Sequence, residues 1–383
     1  MMVKPRILII CSSSLVVNQH LTEIIDRLRV IYQIDLATNF SDGSSLNFLP
    51  SSLPINLHFI PIQRKPAFFL DILSFLRLFN LIITNHYSFV LSFTPKAGLL
   101  TSFTLFICRF FLFRNIKYIH YFTGNLWRHR PRRTLFRFIL RAFDQFIIFV
   151  SNFSLFDSHT QVSIFQNICL VDSRKLLCLG SGSLKGVDTS VFYSNSCQRD
   201  LYRSKFNIPS GSFVLLYLGR INHSKGISTL LSVFNTLKEK YSDIYLLVVG
   251  PDDGYILPNF PPGSRVIRFD FTAHPETFYK FADLHILPSE REGFGSSVIE
   301  AAACGVPTIG SSIEGLSESI IHLKTGLLYD RRFSTQLYNS IELLYLHRDL
   351  LSLMSINAKN YALNNFNQKF VLHNLTEFLN NNA

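Results

Sequence analysis

GRINHSKG at residues 219–226 and PSEREGFGSSVIEAAACGVP at residues 288–307 decide how this chain is read. Each follows a short apolar run, Phe213–Leu218 and Leu284–Leu287, and each precedes an amphipathic one, Gly226–Tyr241 and Ser296–Cys304. That is a strand, a glycine-bearing loop and a helix, twice over. In doubly wound sheets such loops leave the carboxyl ends of the strands, where ligands bind. Arg220 and Lys225 put two cations on the first loop, flanked by Gly219 and Gly226. A guanidinium grips phosphate oxygens in pairs and an ammonium acts as a mobile point charge. The loop therefore reads as a diphosphate clamp or, alternatively, as a solvated basic turn. In the second loop Gly293 and Gly295 open a helix whose first N–H groups favour an anion. Glu292 stands before that helix and Glu300 inside it, so a ligand across its start would meet both carboxylates. Taken singly, Glu292 could be a cap and Glu300 a solvated helix residue.

The same alternation extends outward. In the second half, Ile244–Val249, Val266–Phe269 and Pro307–Ile309 are further predicted strands, and helices follow from Ser334. In the first half, Ile7–Cys11, Ile31–Ala37, Phe89–Phe93, Tyr118–Phe122 and Phe146–Val150 read as strands between longer amphipathic runs. Such a pattern predicts βαβ units and parallel sheets. The expectation is an α/β chain of two doubly wound parallel-sheet domains facing a central cleft. The first spans residues 1–192, a polar linker 193–204, the second domain 205–365 and a helical tail 366–383. With 383 residues, 48% hydrophobic and 16% charged, the chain has ample core and is not disordered. Its six cysteines show neither CxxC nor zinc spacing, so neither a disulfide scaffold nor a metal site is expected. Lysine and arginine exceed the acids to give a net charge of +11, which points to an anionic partner: nucleic acid, a membrane surface or a phosphate-bearing substrate.

Together the two loops resemble the signature of the retaining glycosyltransferases of family 4, whose fold is termed GT-B. That family has a GRxxxxKG loop followed by an E-x7-E element, matched here by GRINHSKG and EGFGSSVIE. GSGSLKGVDTSVF at residues 180–192 and GLSESIIHLKTGLLY at residues 315–329 extend the likeness. The resemblance implies that Gly219, Arg220 and Lys225 hold the diphosphate of a nucleotide-sugar donor. It implies that Glu300 bonds the ribose, and that Glu292 faces the donor sugar with the backbone N–H groups of Phe294 and Gly295. A UDP-sugar is the first expectation by family likeness. No Asp-x-Asp triplet occurs, in keeping with the metal independence usual in this family, and no cofactor is expected.

The first half is less close to the family. Thr94-Pro95-Lys96-Ala97-Gly98 follows a predicted strand and resembles an element of members acting on lipid-linked sugars. Lys96 is thus the candidate for an acceptor phosphate, or else an ordinary exposed lysine. Where many members carry His-Gly, this chain has Thr123-Gly124, and His120 is the candidate replacement in acceptor binding. Trp127 to Arg141, WRHRPRRTLFRFILR, interleaves six arginines with apolar residues. It suits an anionic bilayer surface first, a solvated helix face second, and nucleic acid, for which no motif is present, last. Phe68–Ile83 and Ala97–Phe113 read as sheet-packing helices, one of which could touch lipid, rather than as membrane spans. The N-terminal apolar run reads as a buried strand rather than a leader.

The resulting expectation is a glycosyltransferase at the inner face of the cell membrane. It would move a sugar, with retention, onto a lipid diphosphate-linked saccharide in surface-polysaccharide assembly. A sugar-nucleotide epimerase of the same fold, or a non-catalytic glycan- or lipid-binding protein, are the rivals.

Overall fold

The computed structural model describes residues 4–40, 55–63, 65–113, 116–124, 127, 134–168, 172–255, 257–258, 260–261 and 263–382. Two compact units emerge, Met1–Lys185 with Val371–Ala383, and Gly186–Phe370. In the first unit the chain runs β1 (Arg6–Ile10), α1 (Ser14–Val16), a π-helical turn (Val17–Leu21) and α2 (Thr22–Leu28). It continues through β2 (Gln33–Thr38), β3 (Ile55–Phe59), α3 (Phe68–Thr84), β4 (Phe89–Phe93), α4 (Pro95–Leu112) and β5 (Lys117–Phe122). The unit's main body closes with α5 (Leu135–Val150), β6 (Phe153–Phe156), α6 (His159–Gln166) and β7 (Leu176–Cys178). The second unit has α7 (Ser196–Lys205), β8 (Phe213–Leu218), α8 (Ile227–Lys240), β9 (Ile244–Val249), β10 (Val266–Phe269) and α9 (Glu276–Tyr279). Then come β11 (Leu284–Leu287), α10 (Ser296–Ala303), β12 (Thr308–Ser311), β13 (Gly326–Tyr329), α11 (Ser334–Leu346) and α12 (Arg348–Asn365). The last helix, α13 (Gln368–Asn381), returns to the first unit.

Both sheets are parallel and doubly wound. Their orders are β3-β2-β1-β4-β5-β6-β7 and β10-β9-β8-β11-β12-β13. The central strands β1, β4, β8 and β11 are mostly apolar and almost wholly buried, because helices cover both faces of a parallel sheet. In each sheet the order reverses once, at β1/β4 and at β8/β11. Helices on the two sides diverge there and leave a crevice at the carboxyl ends.

Several sequence expectations are corrected. Phe146–Val150 is not a strand but the last turn and more of α5. Its Ile147, Ile148 and Val150 face the core while Phe149 lies exposed, which is helical periodicity; the strand of that region is β6. The strands β3, β7 and β13 went unread. All three are sheet edges, short and without a long apolar run. The division between units falls at Lys185/Gly186 rather than at residue 192. Val187 packs with Phe294 and Phe366 in the second unit, and its backbone bonds those of Phe366 and Gln368. The helical tail is split as well: Leu372, Leu375 and Leu379 of α13 complete the core of the first unit.

The second unit is pinned by one buried ionic cluster. The Arg203 guanidinium donates to the carbonyls of Phe281 (3.1 Å), Ser210 (2.9 Å) and Ser212 (2.9 Å) and to the Asp283 carboxylate (2.7 Å). Asp283 also accepts from the Val214 N–H (2.7 Å) and from Arg199. Removing one member of a buried pair strands the other charge. Asp283→Ala should therefore destabilise the second unit by about 3 kcal/mol. Hydrogen exchange checks this: β8 and β11 amides should lose protection while β1 and β4 keep theirs.

Candidate active site

The two signature loops leave the carboxyl ends of β8 and β11, which are neighbours in the sheet and flank its switch point. Sequence spacing had placed both at strand ends; the sheet order places them beside each other. The first loop is shaped from within. Asn222 caps a short 3-10 turn at His223–Lys225, its Oδ1 accepting from the Lys225 N–H (3.0 Å) and the Ser224 hydroxyl (2.9 Å). The Tyr217 hydroxyl donates to the Arg220 carbonyl (2.7 Å), holding the loop from beneath.

The loops then lock together. The Glu290 N–H donates to the Ser224 carbonyl at 2.8 Å. Gly226, at φ +73°, comes so near that a Cβ there would lie 2.1 Å from the Pro288 carbonyl oxygen. This is what the second glycine of the first motif is for. It also lets the Lys225 Nζ reach the Glu292 Oε1 at 2.5 Å, with the two side chains only 19% and 12% exposed. An ammonium has three donor positions, so Lys225 can hold Glu292 and still bond a phosphate.

Around this pair the other expected residues take distinct places. Arg220 projects toward solvent and pairs with Asp253 at 2.7 Å, and the Asn222 amide donates to the same carboxylate at 3.0 Å. Phe294 is buried against Phe366, its ring 5.2 Å away, and so fixes the second loop. Gly295, at φ +78°, is the N-cap of α10. The first N–H groups of that helix have no acceptor within it. Glu300 lies on α10, and its Oε2 accepts from the Tyr279 hydroxyl at 3.2 Å. Tyr279 is fully buried; burial first, and the Glu300 charge second, hold its phenol well above the ordinary range, so it remains a donor. The structure thus brings Gly219, Arg220, Lys225, Glu292, Phe294 and Gly295 to the ends of adjacent strands, with Glu300 in the helix that follows.

Sequence reasoning missed Asp253 and Tyr279. Pro251-Asp252-Asp253-Gly254 carries only turn-forming residues, yet it follows β9, the neighbour of β8. That position was the available signal. Nothing local marks Tyr279, which reaches Glu300 from α9.

In the first unit, Lys96 lies in the opening turn of α4, after β4 and therefore at that sheet's own switch point. Its amine pairs with Asp71 (2.6 Å) and donates to the Lys65 carbonyl (2.7 Å). His120 is not at a surface. It is buried in β5, bonded to the Ser92 hydroxyl at 2.7 Å, and burial lowers its pKa to about 3. Gly98 lies against its ring, where a Cβ would come within 2.4 Å of Cε1. The glycine of the Thr94–Gly98 element makes room for a neutral, structural imidazole. Of the arginine-rich stretch, Arg128, Arg130, Arg132 and Arg133 lie outside the described residues. Arg137 sits over the Trp127 ring at 5.6 Å, and Arg141 donates to the Ile168 carbonyl at 2.9 Å. Among the described residues no three His, Cys, Asp or Glu side chains gather as a metal site.

Two parallel-sheet units, with a cation and a carboxylate from neighbouring loops at a switch point, define an enzyme of the GT-B kind. Comparison with known proteins agrees. Residues 198–361 match the family described as glycosyl transferases group 1. The capsular polysaccharide biosynthesis glycosyltransferase CapM of Staphylococcus aureus is 26% identical over 351 residues, 89% of this chain and 88% of CapM. A D-inositol 3-phosphate glycosyltransferase of Arthrobacter is 32% identical over 173 residues, but the match spans 40% of that relative and 42% of this chain. HepE of Anabaena, solved in complex with UDP and glucose, superposes with a TM-score of 0.77 over 98% of this chain and 100% of HepE, at 17% identity. The chain is a glycosyltransferase with the GT-B fold, and its second unit is similar to the glycosyl transferases of group 1.

The Gly226 contact is testable. Gly226→Ala adds a clash with backbone to the strain of a left-handed residue, which alone costs about 1–3 kcal/mol. Gly254, at φ +85°, has open space where a Cβ would stand. Chemical denaturation should show a larger loss of second-unit stability for Gly226→Ala than for Gly254→Ala.

Proposed function

We propose that this glycosyltransferase moves a sugar from a UDP-sugar, with retention, to a saccharide carried on a lipid diphosphate at the inner face of the cell membrane. The observation that carries the reading is the Lys225–Glu292 pair at the β8/β11 switch point. A nucleoside diphosphate gains negative charge as the glycosidic bond breaks. Arg220, Lys225 and the N–H groups at the start of α10 form a fixed positive field for that charge, present before the reaction begins. Glu292, oriented by Lys225, meets the sugar; Glu300, oriented by Tyr279, meets the ribose. HepE's complex with UDP and glucose supports UDP as the base-bearing partner. CapM's role in capsular polysaccharide supports a glycan acceptor. Lys96 is assigned to the acceptor's phosphate, exchanging its Asp71 partner for it. The basic stretch from Trp127 to Arg141 is assigned to the anionic bilayer that carries the acceptor.

Calorimetry and donor hydrolysis across UDP-, GDP- and ADP-sugars test the reading directly. A UDP-sugar should bind and turn over slowly; no binding of any nucleotide sugar would overturn it. A charged hydrogen bond to phosphate is worth roughly 1.5–3 kcal/mol, so Arg220→Ala and Lys225→Ala should each weaken donor binding about tenfold or more. Glu300→Gln should chiefly raise the donor concentration needed, and Glu292→Gln should chiefly lower turnover. Parent-like kinetics in all four variants would make these side chains structural.

A further inference from the structure

The outward face of the first unit's helix layer is apolar where a water-facing surface is expected. Helix α3 packs on α4 and α4 on α5, so the three form one layer beside the sheet. Their inner faces supply Leu78, Ile82, Leu105 and Ile148 to the core. Their outer faces do not turn polar. Phe69 on α3 is 83% exposed, Phe110 on α4 66% and Phe138 on α5 69%. The apolar spacing repeats on each helix, with Ile72 and Leu76 following Phe69, and Phe103 and Phe106 preceding Phe110, all exposed. Helix seams are aromatic too: the Phe146 ring of α5 lies 4.7 Å from that of Phe103 on α4. Soluble surfaces rarely expose contiguous apolar patches of this extent without a partner.

The charge of the same segment selects the partner. Residues 64–150 contain 13 lysines and arginines but only two acids, Asp71 and Asp144. The remainder of the chain carries 24 basic and 24 acidic residues, so the whole net charge of +11 resides in this one stretch. Neither acid offsets it at the surface. Asp71 is paired with Lys96, and Asp144 is buried, accepting from the Trp127 indole N–H at 2.9 Å. A second copy docking on this face would set the same basic segment against itself. An acidic bilayer satisfies both features at once, apolar depth and negative headgroups.

We infer that the outer face of α3, α4 and α5 inserts into the headgroup–acyl boundary of an anionic bilayer. This deepens the membrane part of the proposed function and rests on it. Attachment then has two components: a salt-screened attraction and a salt-resistant insertion, and two such signals are what stable anchoring requires. Lys96 is tied to Asp71, two residues beyond Phe69 on α3. The acceptor's phosphate would meet it there with the lipid still in the membrane.

The test is flotation of the full chain with phosphatidylglycerol–phosphatidylethanolamine vesicles at 0.1 M and 1 M salt. The parent protein should stay bound at 1 M salt, where surface attraction is screened within about 3 Å. The variant F69S/F110S/F138S should keep its melting temperature and lose roughly 100-fold of the salt-resistant partitioning, given the apolar area removed. The variant R130S/R132S/R133S should lose mainly the binding that salt already weakens. Parent-like binding of the triple Phe variant at 1 M salt would overturn the inference. So would a parent dimer in sedimentation that this variant dissociates. UDP-sugar hydrolysis is read on every variant. Lost vesicle binding with intact hydrolysis in the Phe variant supports the insertion face. Absent hydrolysis in the parent strikes the transferase reading instead.

Discussion

The second unit is organised around the place where β8 and β11 run side by side while the chain winds away from them on opposite sides. Parallel strands cannot be joined by tight turns, so each needs a crossover helix, and each crossover begins with a loop at the carboxyl edge. Only at the reversal of strand order do two such loops meet without a helix between them. Close approach of those loops is the constraint from which the rest follows. It demands a residue without a side chain at position 226, because the Pro288 carbonyl occupies the space. It sets Ser224 and Glu290 within a backbone hydrogen bond, and it delivers Lys225 to Glu292. A cation and a carboxylate from distant parts of the chain become one group by backbone packing.

The candidate donor site was legible because its chemistry is local in sequence. Gly219, Arg220, Lys225 and Gly226 share one loop, and Glu292, Phe294, Gly295 and Glu300 share a loop and the helix after it. Strands such as Phe213–Leu218 and Ile244–Val249 were readable because burial on both faces forces an unbroken apolar run. What escaped was whatever depends on a tertiary neighbour. Tyr279 reaches Glu300 from a separate four-residue helix, and no residue near it in sequence predicts that meeting. Asp253 was visible as a turn but not as the partner of Arg220, because only the order β9-β8 brings the turn to the first loop.

The first unit misled for a different physical reason. Its helices are apolar on both sides, so the contrast between faces that distinguishes helix from strand is weak. Phe146–Val150 imitated a strand because Ile147, Ile148 and Val150 are β-branched and the exposed Phe149 between them is apolar as well. Helix α4 is long and apolar enough to cross a membrane by composition, yet its Ala97, Leu105 and Cys108 pack in the core. His120 stood as the candidate replacement for the family histidine absent at Thr123; the structure encloses it with Ser92 and Gly98. An apolar exterior, which makes secondary structure hard to read, is also the property that requires a functional account.

Net charge carries the same lesson about where a signal resides. A surplus of +11 points from composition to nucleic acid, to membranes or to phosphate-bearing substrates, without deciding among them. The charge is distributed unevenly between the two units. In the candidate donor site Arg220 faces Asp253, Lys225 faces Glu292, and nearby Arg268 faces Asp252 and Asp270. These cations are balanced at home, so the site adds little to the long-range field and acts only at contact distance, on a ligand able to displace or share a carboxylate. That balance suits selection of a nucleoside diphosphate over any passing anion, since an unpaired cluster would attract them all. The unbalanced charge lies instead within residues 64–150, the stretch that builds the Phe-rich helix layer. Under the proposed function, long-range attraction falls to the first unit and short-range recognition to the second, so the two do not compete for the same ligand.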